Sequence, residues 1–176
     1  NPFTDVTEHE YYYKPVLWAL DKGITTGLKP NQFGAEEICT RGQVVTFLWR
    51  AMGEPEPTTT KHNFVDLDSN AYYYKAVLWA VENNITNGYD ATHFAPDEIV
   101  TRGQFVTFLH RAEKTPSYTT QNPFKDIENS DYYYNAVLWA LENGITTGLQ
   151  ADEFGAEEDC TRGQVVTFLY RALEKE

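Results

Sequence analysis

A stretch of Thr-Arg-Gly-Gln before an apolar run occurs three times, and its residue types could bind an anion. Threonine followed three residues later by glutamine predicts a capping box, which places threonine at the helix N-cap, arginine at N1 and glycine at N2. Arginine beside free backbone N–H groups, at the positive end of a helix dipole, makes a local anion site. The stretches begin at Thr40, Thr101 and Thr161, and their arginines are Arg41, Arg102 and Arg162.

Two sets of glycines could bring a ligand close to the backbone, because glycine has no side chain to hold it away. The N2 glycines are Gly42, Gly103 and Gly163, and those of a repeated I-T-x-G motif are Gly27, Gly88 and Gly148. A turn role explains the second set equally well. For the arginines, the alternative is an ion pair with the acids just upstream, such as Glu36 and Glu37. Ion pairing and ligand binding could coexist.

Other recurring residues allow a structural and a functional interpretation. Arg50, Arg111 and Arg171 are expected to balance a helix C-terminal dipole or to pair with Asp5, Asp66 and Asp126. Tyr11, Tyr72, Tyr132 and three of the tryptophans suit either the core or a sugar-binding cleft. The four histidines do not recur at equivalent places, and no carboxylate pair stands out. We therefore expect no catalytic site, no metal and no cofactor.

Composition and charge narrow the class of protein. The chain has 176 residues, 41% of them hydrophobic and 15% aromatic, which is typical of a globular protein. A formal net charge of -12 argues against nucleic acid or an anionic membrane as partner. No apolar run has the roughly 20 residues that a membrane span needs. The beginning, NPFTDVTEHE, is not a signal peptide, so we expect an excised or processed segment.

The two cysteines, Cys39 and Cys160, both directly precede Thr-Arg-Gly-Gln, and Val100 stands at the equivalent place in the middle copy. This substitution indicates a small buried apolar position more than a disulfide or a metal site.

Three copies of one unit account for these patterns. Trp18, Trp79 and Trp139 are spaced by 61 and then 60 residues, and the Thr-Arg-Gly-Gln stretches by the same steps. The segments 53–62 and 113–121 are rich in proline and threonine, as linkers are. The predicted repeats are therefore residues 1–52, 63–113 and 123–174.

Each repeat is expected to contain two helices. Apolar residues at helical spacing predict a first helix over roughly residues 10–22, 71–83 and 131–143, ended by Gly23, Asn84 and Gly144. The second helix begins at Thr-Arg-Gly-Gln and runs to about residues 52, 113 and 173. Such a unit cannot bury its apolar stripes alone. Three copies without atypical ends favour a closed ring over an open solenoid. The predicted fold is all-α, mainly helical with short irregular or strand-like segments: three helix-loop-helix repeats closed into a pseudo-threefold bundle with three equivalent clefts.

Several motifs recur in each unit: F-x-D, then YYY-x-(A/P)-V-L-W-A with I-T-x-G, a phenylalanine six residues later, and Thr-Arg-x-Gln before an apolar helix. Together they resemble the S-layer homology (SLH) domain over all three repeats. The resemblance implies an anchor of bacterial surface proteins that binds a secondary cell wall polysaccharide, often one with pyruvate ketals. It implies that Arg41, Arg102 and Arg162 bind the ketal carboxylate and that Gly27, Gly88 and Gly148 meet the sugar. T-R-G-Q here departs from the usual T-R-A-E/Q.

We therefore expect a non-catalytic anchoring module, outside the cell at the bacterial cell wall, that binds an anionic polysaccharide between its repeats. It is expected to be a monomer that inserts into no membrane and binds no nucleic acid. The alternative is a protein-interaction or self-assembly module of a bacterial surface protein.

Overall fold

The computed structural model describes residues 1–174 and contains six helices in that range, two in each repeat. The first helices are short and the second helices are longer. They are α1 Tyr13–Asp21, α2 Arg41–Ala51, α3 Tyr74–Glu82, α4 Arg102–Ala112, α5 Tyr134–Glu142 and α6 Arg162–Leu173. Strand pairing within this range is limited to isolated bridges, so the all-α prediction is confirmed. None of the six helices is long and apolar enough to cross a membrane.

The first helix of each repeat begins later than predicted and ends where predicted. Residues 10–12 form a turn, in which the Tyr13 N–H donates to the Glu10 carbonyl at 3.0 Å, and the helix starts only at Tyr13. Just beyond the helix ends, Gly23, Asn84 and Gly144 have φ of 71°, 56° and 66°. These are left-handed conformations, which glycine and asparagine adopt most readily, and they stop the helix.

The second helices begin at the predicted residues because all three capping boxes form. In the middle repeat, the Gln104 N–H donates to the Thr101 hydroxyl at 3.3 Å, and the Thr101 N–H donates to Gln104 Oε1 at 3.3 Å. The N-cap threonines have extended backbone, with ψ near 160°. The box therefore sets the register of the helix that carries the arginine.

The three repeats close into a ring around a central axis. Three backbone hydrogen bonds form a cycle there: Cys39 N–H to the Cys160 carbonyl at 3.0 Å, Cys160 N–H to the Val100 carbonyl at 2.9 Å, and Val100 N–H to the Cys39 carbonyl at 3.0 Å. Helix α6 packs on α1, as α2 packs on α3 and α4 on α5. The closed bundle is therefore confirmed. Both cysteines are free thiols and fully buried, as Val100 is.

The F-x-D aspartates fold the loop between the two helices of their own repeat. The Asp5 carboxylate accepts from the N–H groups of Phe33 and Gly34 at 2.9 and 2.8 Å. Burial acts to raise the pKa of Asp5, but these donors and the charge of Arg162 outweigh it, so the pKa lies below its ordinary value. Asp66 and Asp126 bind the equivalent amides. Within residues 1–174, none of these aspartates forms an ion pair with Arg50, Arg111 or Arg171, so the pairing alternative was wrong. These arginines lie in the last turns of α2, α4 and α6, as the dipole alternative requires.

Candidate functional site

The N-terminal amides of the second helices are not free. The N–H groups of Arg41 and Gly42 donate to the carbonyls of Glu98 and Pro96, both at 2.8 Å, in the neighbouring repeat. The other two junctions repeat this pattern: Arg102 and Gly103 donate to Glu158 and Ala156, and Arg162 and Gly163 donate to Glu37 and Ala35. The expectation that these amides bind an anion was therefore wrong, because a loop of another repeat uses them.

Glycine at N2 makes room for that neighbour rather than for a ligand. A Cβ at Gly42 would lie 2.8 Å from Cδ1 of Tyr73 and 3.2 Å from the Pro96 carbonyl oxygen. Gly103 and Gly163 are equally close to the tyrosine and the loop of their neighbours, Tyr133 with Ala156 and Tyr12 with Ala35. These three glycines, which the sequence placed in the ligand site, are repeat–repeat contacts. Close packing of two backbones explains them.

The motif arginines reach across the same junctions. The Arg41 guanidinium donates through Nε to the Phe94 carbonyl at 2.9 Å, and its Cζ lies 4.9 Å from the centroid of the Phe94 ring. Arg102 and Arg162 bind Phe154 and Phe33 in the same way. Within residues 1–174, no carboxylate forms an ion pair with the three arginines. The ion-pair interpretation was wrong, and the acids upstream contribute backbone carbonyls instead.

Arg162 differs from the other two arginines in its second terminal nitrogen. In Arg102, Nη2 donates to the Phe154 carbonyl at 3.0 Å, and in Arg41 it donates to the Thr86 hydroxyl at 3.4 Å. Arg162 is only 4% exposed and its Nη2 is buried. This nitrogen nevertheless has no hydrogen-bond partner among the described residues. Burial lowers the pKa of the guanidinium, but an arginine stays charged in proteins. A buried cationic nitrogen is thus left without an acceptor among the described residues.

Arg162 lines a cleft to which all three repeats contribute. This first cleft has a volume of about 220 Å³. The I-T-x-G loop of the first repeat forms one side, helix α2 another, and Tyr72 of the second repeat a third. The residues that bound it are Thr25, Thr26, Gly27, Leu28, Gln43, Thr46, Phe47, Arg50, Tyr72 and Arg162. The cleft therefore combines a buried cation, an exposed aromatic ring and an exposed loop.

A third cleft, of about 280 Å³, has equivalent walls between the third repeat and its neighbours. It is bounded by Tyr11, Arg102, Thr146, Thr147, Gly148, Leu149, Gln164, Thr167, Phe168 and Arg171. At the second position, Tyr132 and Arg111 line a larger cavity of about 460 Å³ that extends to the linker at Pro116. In the I-T-x-G loop of the second repeat, Asn87 and Tyr89 replace the threonine and leucine of the other two loops, and neither Gly88 nor Arg41 lines this cavity. The three clefts are thus similar but not equivalent.

The sequence matches the S-layer homology domain over residues 2–45, 63–106 and 123–166. The chain belongs to this family. It is 30% identical over 134 residues to an endoglucanase of Bacillus sp. (strain KSM-635), covering 74% of this chain and 14% of the enzyme. It is 30% identical over 177 residues to a cell surface protein of Thermoanaerobacter kivui, covering 98% and 21%. It is 28% identical over 144 residues to the surface-layer 125 kDa protein of Lysinibacillus sphaericus, covering 81% and 12%.

The chain thus spans about a fifth or less of the length of these relatives. Family and relatives together identify an SLH module that anchors at the cell surface, and place it outside the cell at the wall. Enzymes and surface-layer proteins both occur among the relatives. The SLH repeats therefore occur both in enzymes and in surface-layer proteins, so their role does not depend on what the rest of the polypeptide does.

Two of the I-T-x-G glycines of this SLH module, Gly27 and Gly148, lie in cleft walls, and the conformation of all three is set by their own repeat. Gly27 has φ of 95°, and a Cβ there would lie 2.6 Å from Cε1 of Phe3 and 2.8 Å from the Gln32 carbonyl oxygen. Gly88 and Gly148 have φ of 98° and 85° and similar close neighbours. The turn interpretation is supported directly. In the first and third clefts, the same glycines also place loop backbone at the cleft surface.

The tyrosines just before the first helices and the tryptophans within these helices differ in exposure. Tyr11, Tyr72 and Tyr132 are 53%, 59% and 60% exposed and each stands at a cleft. Trp79 and Trp139 are buried between helices, and Trp18 is half-buried. The tyrosines therefore suit contact with a sugar ring, and the two buried tryptophans belong to the core.

Sequence reasoning gave too little weight to the second arginine series. Arg50 and Arg171 line the first and third clefts, and Arg111 lines the second cavity. Each donates through Nη1 to an isoleucine carbonyl of its own repeat, at 3.0–3.1 Å. This hydrogen bond uses one nitrogen of each guanidinium, and the group adds positive charge to the lining of its cleft or cavity. Their recurrence nine residues after the motif arginine was the signal.

Metal chemistry has no visible basis in this part of the chain. Residues 1–174 contain no group of three or more histidine, cysteine, aspartate or glutamate side chains arranged to hold a metal ion. The donors at the clefts are guanidinium groups, hydroxyls and backbone amides, which suit an anionic or hydroxylated ligand.

Proposed function

We propose that this module is a non-catalytic anchor that binds an anionic secondary cell wall polysaccharide, one with pyruvate ketals, in the clefts between its repeats. The observation that carries the proposal is Nη2 of Arg162, a buried cationic donor without a partner among the described residues, in a cleft beside an exposed tyrosine. Buried donors are almost always satisfied, because an unmade hydrogen bond leaves the desolvation of the group uncompensated. A carboxylate from a ligand would satisfy this one.

The first cleft offers a specific division of roles. Arg162 would donate to the ketal carboxylate, which is a charge-assisted hydrogen bond of the stronger kind. Tyr72 would lie against the apolar face of the sugar ring, and the loop at Gly27 would contact its hydroxyls. Arg102 and Gly148 would take the equivalent places in the third cleft, where Nη2 of Arg102 is already bonded to Phe154. Arg41 and Gly88 are their counterparts in sequence, but neither lines the second cavity. Cleft volumes of about 220 and 280 Å³ lie below the about 300 Å³ of typical small-molecule pockets, so each would hold one sugar residue.

Because the net charge is -12, binding of an anionic polymer depends on the positions of individual arginines. An anionic polymer is repelled at long range, but beyond about 8–10 Å this repulsion is screened at physiological salt. Binding must then come from the arginines within the clefts. Several clefts of one monomer on one polymer chain would raise the overall affinity, because the second contact is intramolecular.

Isothermal titration with purified pyruvylated wall polymer tests the proposal. Arg162→Met should weaken binding by about tenfold or more, the equivalent of one hydrogen bond to a charged group. Lys125→Met is the matched control, because it removes the same charge from an exposed surface pair with Asp152, and it should leave affinity unchanged. Polymer stripped of its ketals should bind the wild type at least as weakly as intact polymer binds the variant, because stripping removes the carboxylate from every cleft. Unchanged affinity of Arg162→Met would refute the role of the arginine.

Retention on wall sacculi separates this function from self-assembly. An anchor that binds the polymer should lose retention when the secondary polymer is removed from the sacculi. A self-assembly module should be insensitive to that treatment, and such a result would favour the alternative.

A further inference from the structure

The two linkers between repeats follow the same path, so their residues can be compared place by place. In the first junction, between α2 and α3, Nε1 of Trp49 donates to the Pro55 carbonyl at 2.9 Å. In the second junction, between α4 and α5, Nε2 of His110 donates to the Pro116 carbonyl at 2.9 Å. The threonine three residues after each proline donates through its N–H to a glutamate of the next helix, again at 2.9 Å. The residues between these anchors therefore occupy equivalent places.

In the first junction, acids of the linker neutralise the cations of the helices. Oε1 of Glu54 lies 4.0 Å from Nε of Arg50, and Oε1 of Glu56 lies 2.6 Å from Nζ of Lys75. The indole of Trp49 is buried against the linker. This side of the first junction is thus occupied by a large ring and two ion pairs.

The second junction has lost these groups. The places of the two glutamates and the lysine are taken by Thr115, Ser117 and Asn135, and a smaller ring, His110, replaces the indole. Within residues 1–174, no carboxylate forms an ion pair with Arg111, the counterpart of the first junction's arginine. The cavity of about 460 Å³ lies at this place, bounded by the linker instead of the I-T-x-G loop.

Arg111 is the only charged side chain among the residues that line this cavity. Its Nη1 donates to the Ile85 carbonyl at 3.0 Å, and the guanidinium makes no other hydrogen bond within residues 1–174. Burial lowers the pKa of His110 below its ordinary value of 6.5, so this ring is uncharged at neutral pH. A cavity with one cation and no carboxylate, in a chain with a net charge of -12, points to an anionic ligand.

The other lining groups suit a sugar. The ring of Tyr132 is 60% exposed, and Tyr118 lies across from it on the linker side of the lining. The Tyr118 hydroxyl donates to Oδ1 of Asn135 at 2.8 Å, which leaves the amide N–H groups of this asparagine to donate, beside the hydroxyls of Thr115 and Ser117. The volume is about twice the 220 Å³ of the first cleft and falls within the range of about 300–1,000 Å³ typical of ligand pockets. Two sugar residues would therefore fit.

We propose that this linker-side cavity binds a two-sugar stretch of the wall polymer, with the carboxylate on Arg111 and one sugar ring against Tyr132. The second junction thus binds the anion through the second arginine series, whereas the first cleft uses Arg162. The ligand is the same polymer, so this site rests on the proposed function. It requires neither Arg41 nor Gly88, the counterparts of the residues in the other two clefts.

Titration of the full chain of residues 1–176 with two-sugar fragments of purified pyruvylated wall polymer tests the site. The readout is the ring C–H signals of His110 in ¹³C-labelled protein, identified by their loss in His110→Trp. These signals should shift and saturate, while those of His9, His62 and His93, which do not line the cavity, stay in place. Arg162→Met should leave the shift unchanged, because it acts on the first cleft. Fragments stripped of the ketal should bind at this site about tenfold more weakly.

A glutamate at position 115 closes the site without disturbing the fold. Thr115→Glu gives Arg111 the partner that Arg50 has in Glu54, and the backbone already accepts glutamate in this conformation, since φ is 53° at Thr115 and 55° at Glu54. The added carboxylate should neutralise the guanidinium and repel the ligand, so the affinity read at His110 should fall by about tenfold or more. Thr115→Gln has the same length without the charge and should bind as the wild type does.

The outcomes separate this site from the proposed function. Unmoved His110 signals, with an affinity for polymer that Arg162→Met lowers, would overturn the linker-side site alone. Equal affinities of wild type and Thr115→Glu, equal losses in Thr115→Glu and Thr115→Gln, or a shift that survives removal of the ketal would overturn the role of Arg111. A wild type that binds neither the fragments nor the polymer would overturn both the site and the proposed function.

Discussion

Replacing Arg102 by methionine should destabilise the fold more than replacing Arg162, although the two arginines occupy equivalent places. Each donates through Nε to a phenylalanine carbonyl of another repeat and lies over two phenylalanine rings. Methionine keeps an unbranched apolar stem but is shorter and has no donor. The comparison therefore isolates what differs between the sites, which is the environment of Nη2.

The magnitude follows from subtracting the two sites. The cation–π contacts have similar distances, 4.8 and 5.4 Å at Arg102 against 4.9 and 5.2 Å at Arg162, and each variant leaves one phenylalanine carbonyl without its arginine. These contributions cancel. Arg102 additionally has the bond from Nη2 to Phe154 at 3.0 Å, which Arg162 lacks. A hydrogen bond from a charged group contributes about 1.5–3 kcal/mol, so the free energies of unfolding should differ by about 2 kcal/mol.

Urea unfolding followed by circular dichroism measures this difference, with equal m-values as the condition for comparing midpoints. In a domain of this size, each kcal/mol shifts Tm by about 2–4 °C, so Arg102→Met should melt about 4–8 °C below Arg162→Met. Wall polymer should raise the Tm of the wild type, because a ligand that binds only the folded state stabilises it. That rise should be smaller in Arg162→Met.

Equal stability of the two variants, or a less stable Arg162→Met, would refute the reasoning. Either result would mean that Nη2 of Arg162 is satisfied within the fold. The observation on which the proposed carboxylate contact depends would then be lost as well.

Three further substitutions test contacts within and between the repeats. Asp5→Asn should lower the free energy of unfolding in urea by about 1 kcal/mol at neutral pH, a value reduced because Asp5 is largely exposed. Because the pKa of Asp5 is lowered in the folded state, its carboxylate stabilises the fold above the ordinary pKa of 3.8. The stability difference between wild type and variant should therefore disappear as the pH falls through the pKa of the folded state. Cys39→Val should change stability by less than about 1.5 kcal/mol because Val100 fills the equivalent place. Burial raises the pKa of the Cys39 thiol to about 12, so a thiol reagent near pH 8 should react only after unfolding, and a reactive native thiol would contradict the buried axis. Gly42→Ala should lower the unfolding midpoint by the equivalent of about 1–3 kcal/mol through its clash with Tyr73, and an unchanged midpoint would contradict that packing.

Local signals made the architecture predictable. Thr101 and Gln104 are enough to start a helix, since both partners of a capping box lie within four residues. Asn84 in place of glycine marked the helix end, because few other residues adopt a left-handed conformation readily. The period of 61 and 60 residues added the number of units, and the absence of atypical end repeats favoured closure.

The contacts across repeats could not be predicted in the same way. The sequence places Arg41 and Gly42 at a helix start, where their amides have no partner within the helix. That Pro96 and Glu98 of another repeat supply the acceptors depends on the angle at which the repeats meet, and no local pattern encodes this angle. The arginine and glycine that looked like a ligand site are therefore first of all the means by which adjacent repeats dock.

The docking of the repeats and the proposed binding site are consequently linked in this molecule. The first cleft takes its loop at Gly27 from the first repeat, its ring at Tyr72 from the second and its cation at Arg162 from the third. Arg162 reaches that position because its Nε is held by the Phe33 carbonyl and its helix is capped on the Glu37 carbonyl, both in the first repeat. A single repeat, or a pair, lacks one wall of this cleft. The closed ring of three is therefore the smallest unit that can present the complete site, and ligand bound there would stabilise the ring that forms it.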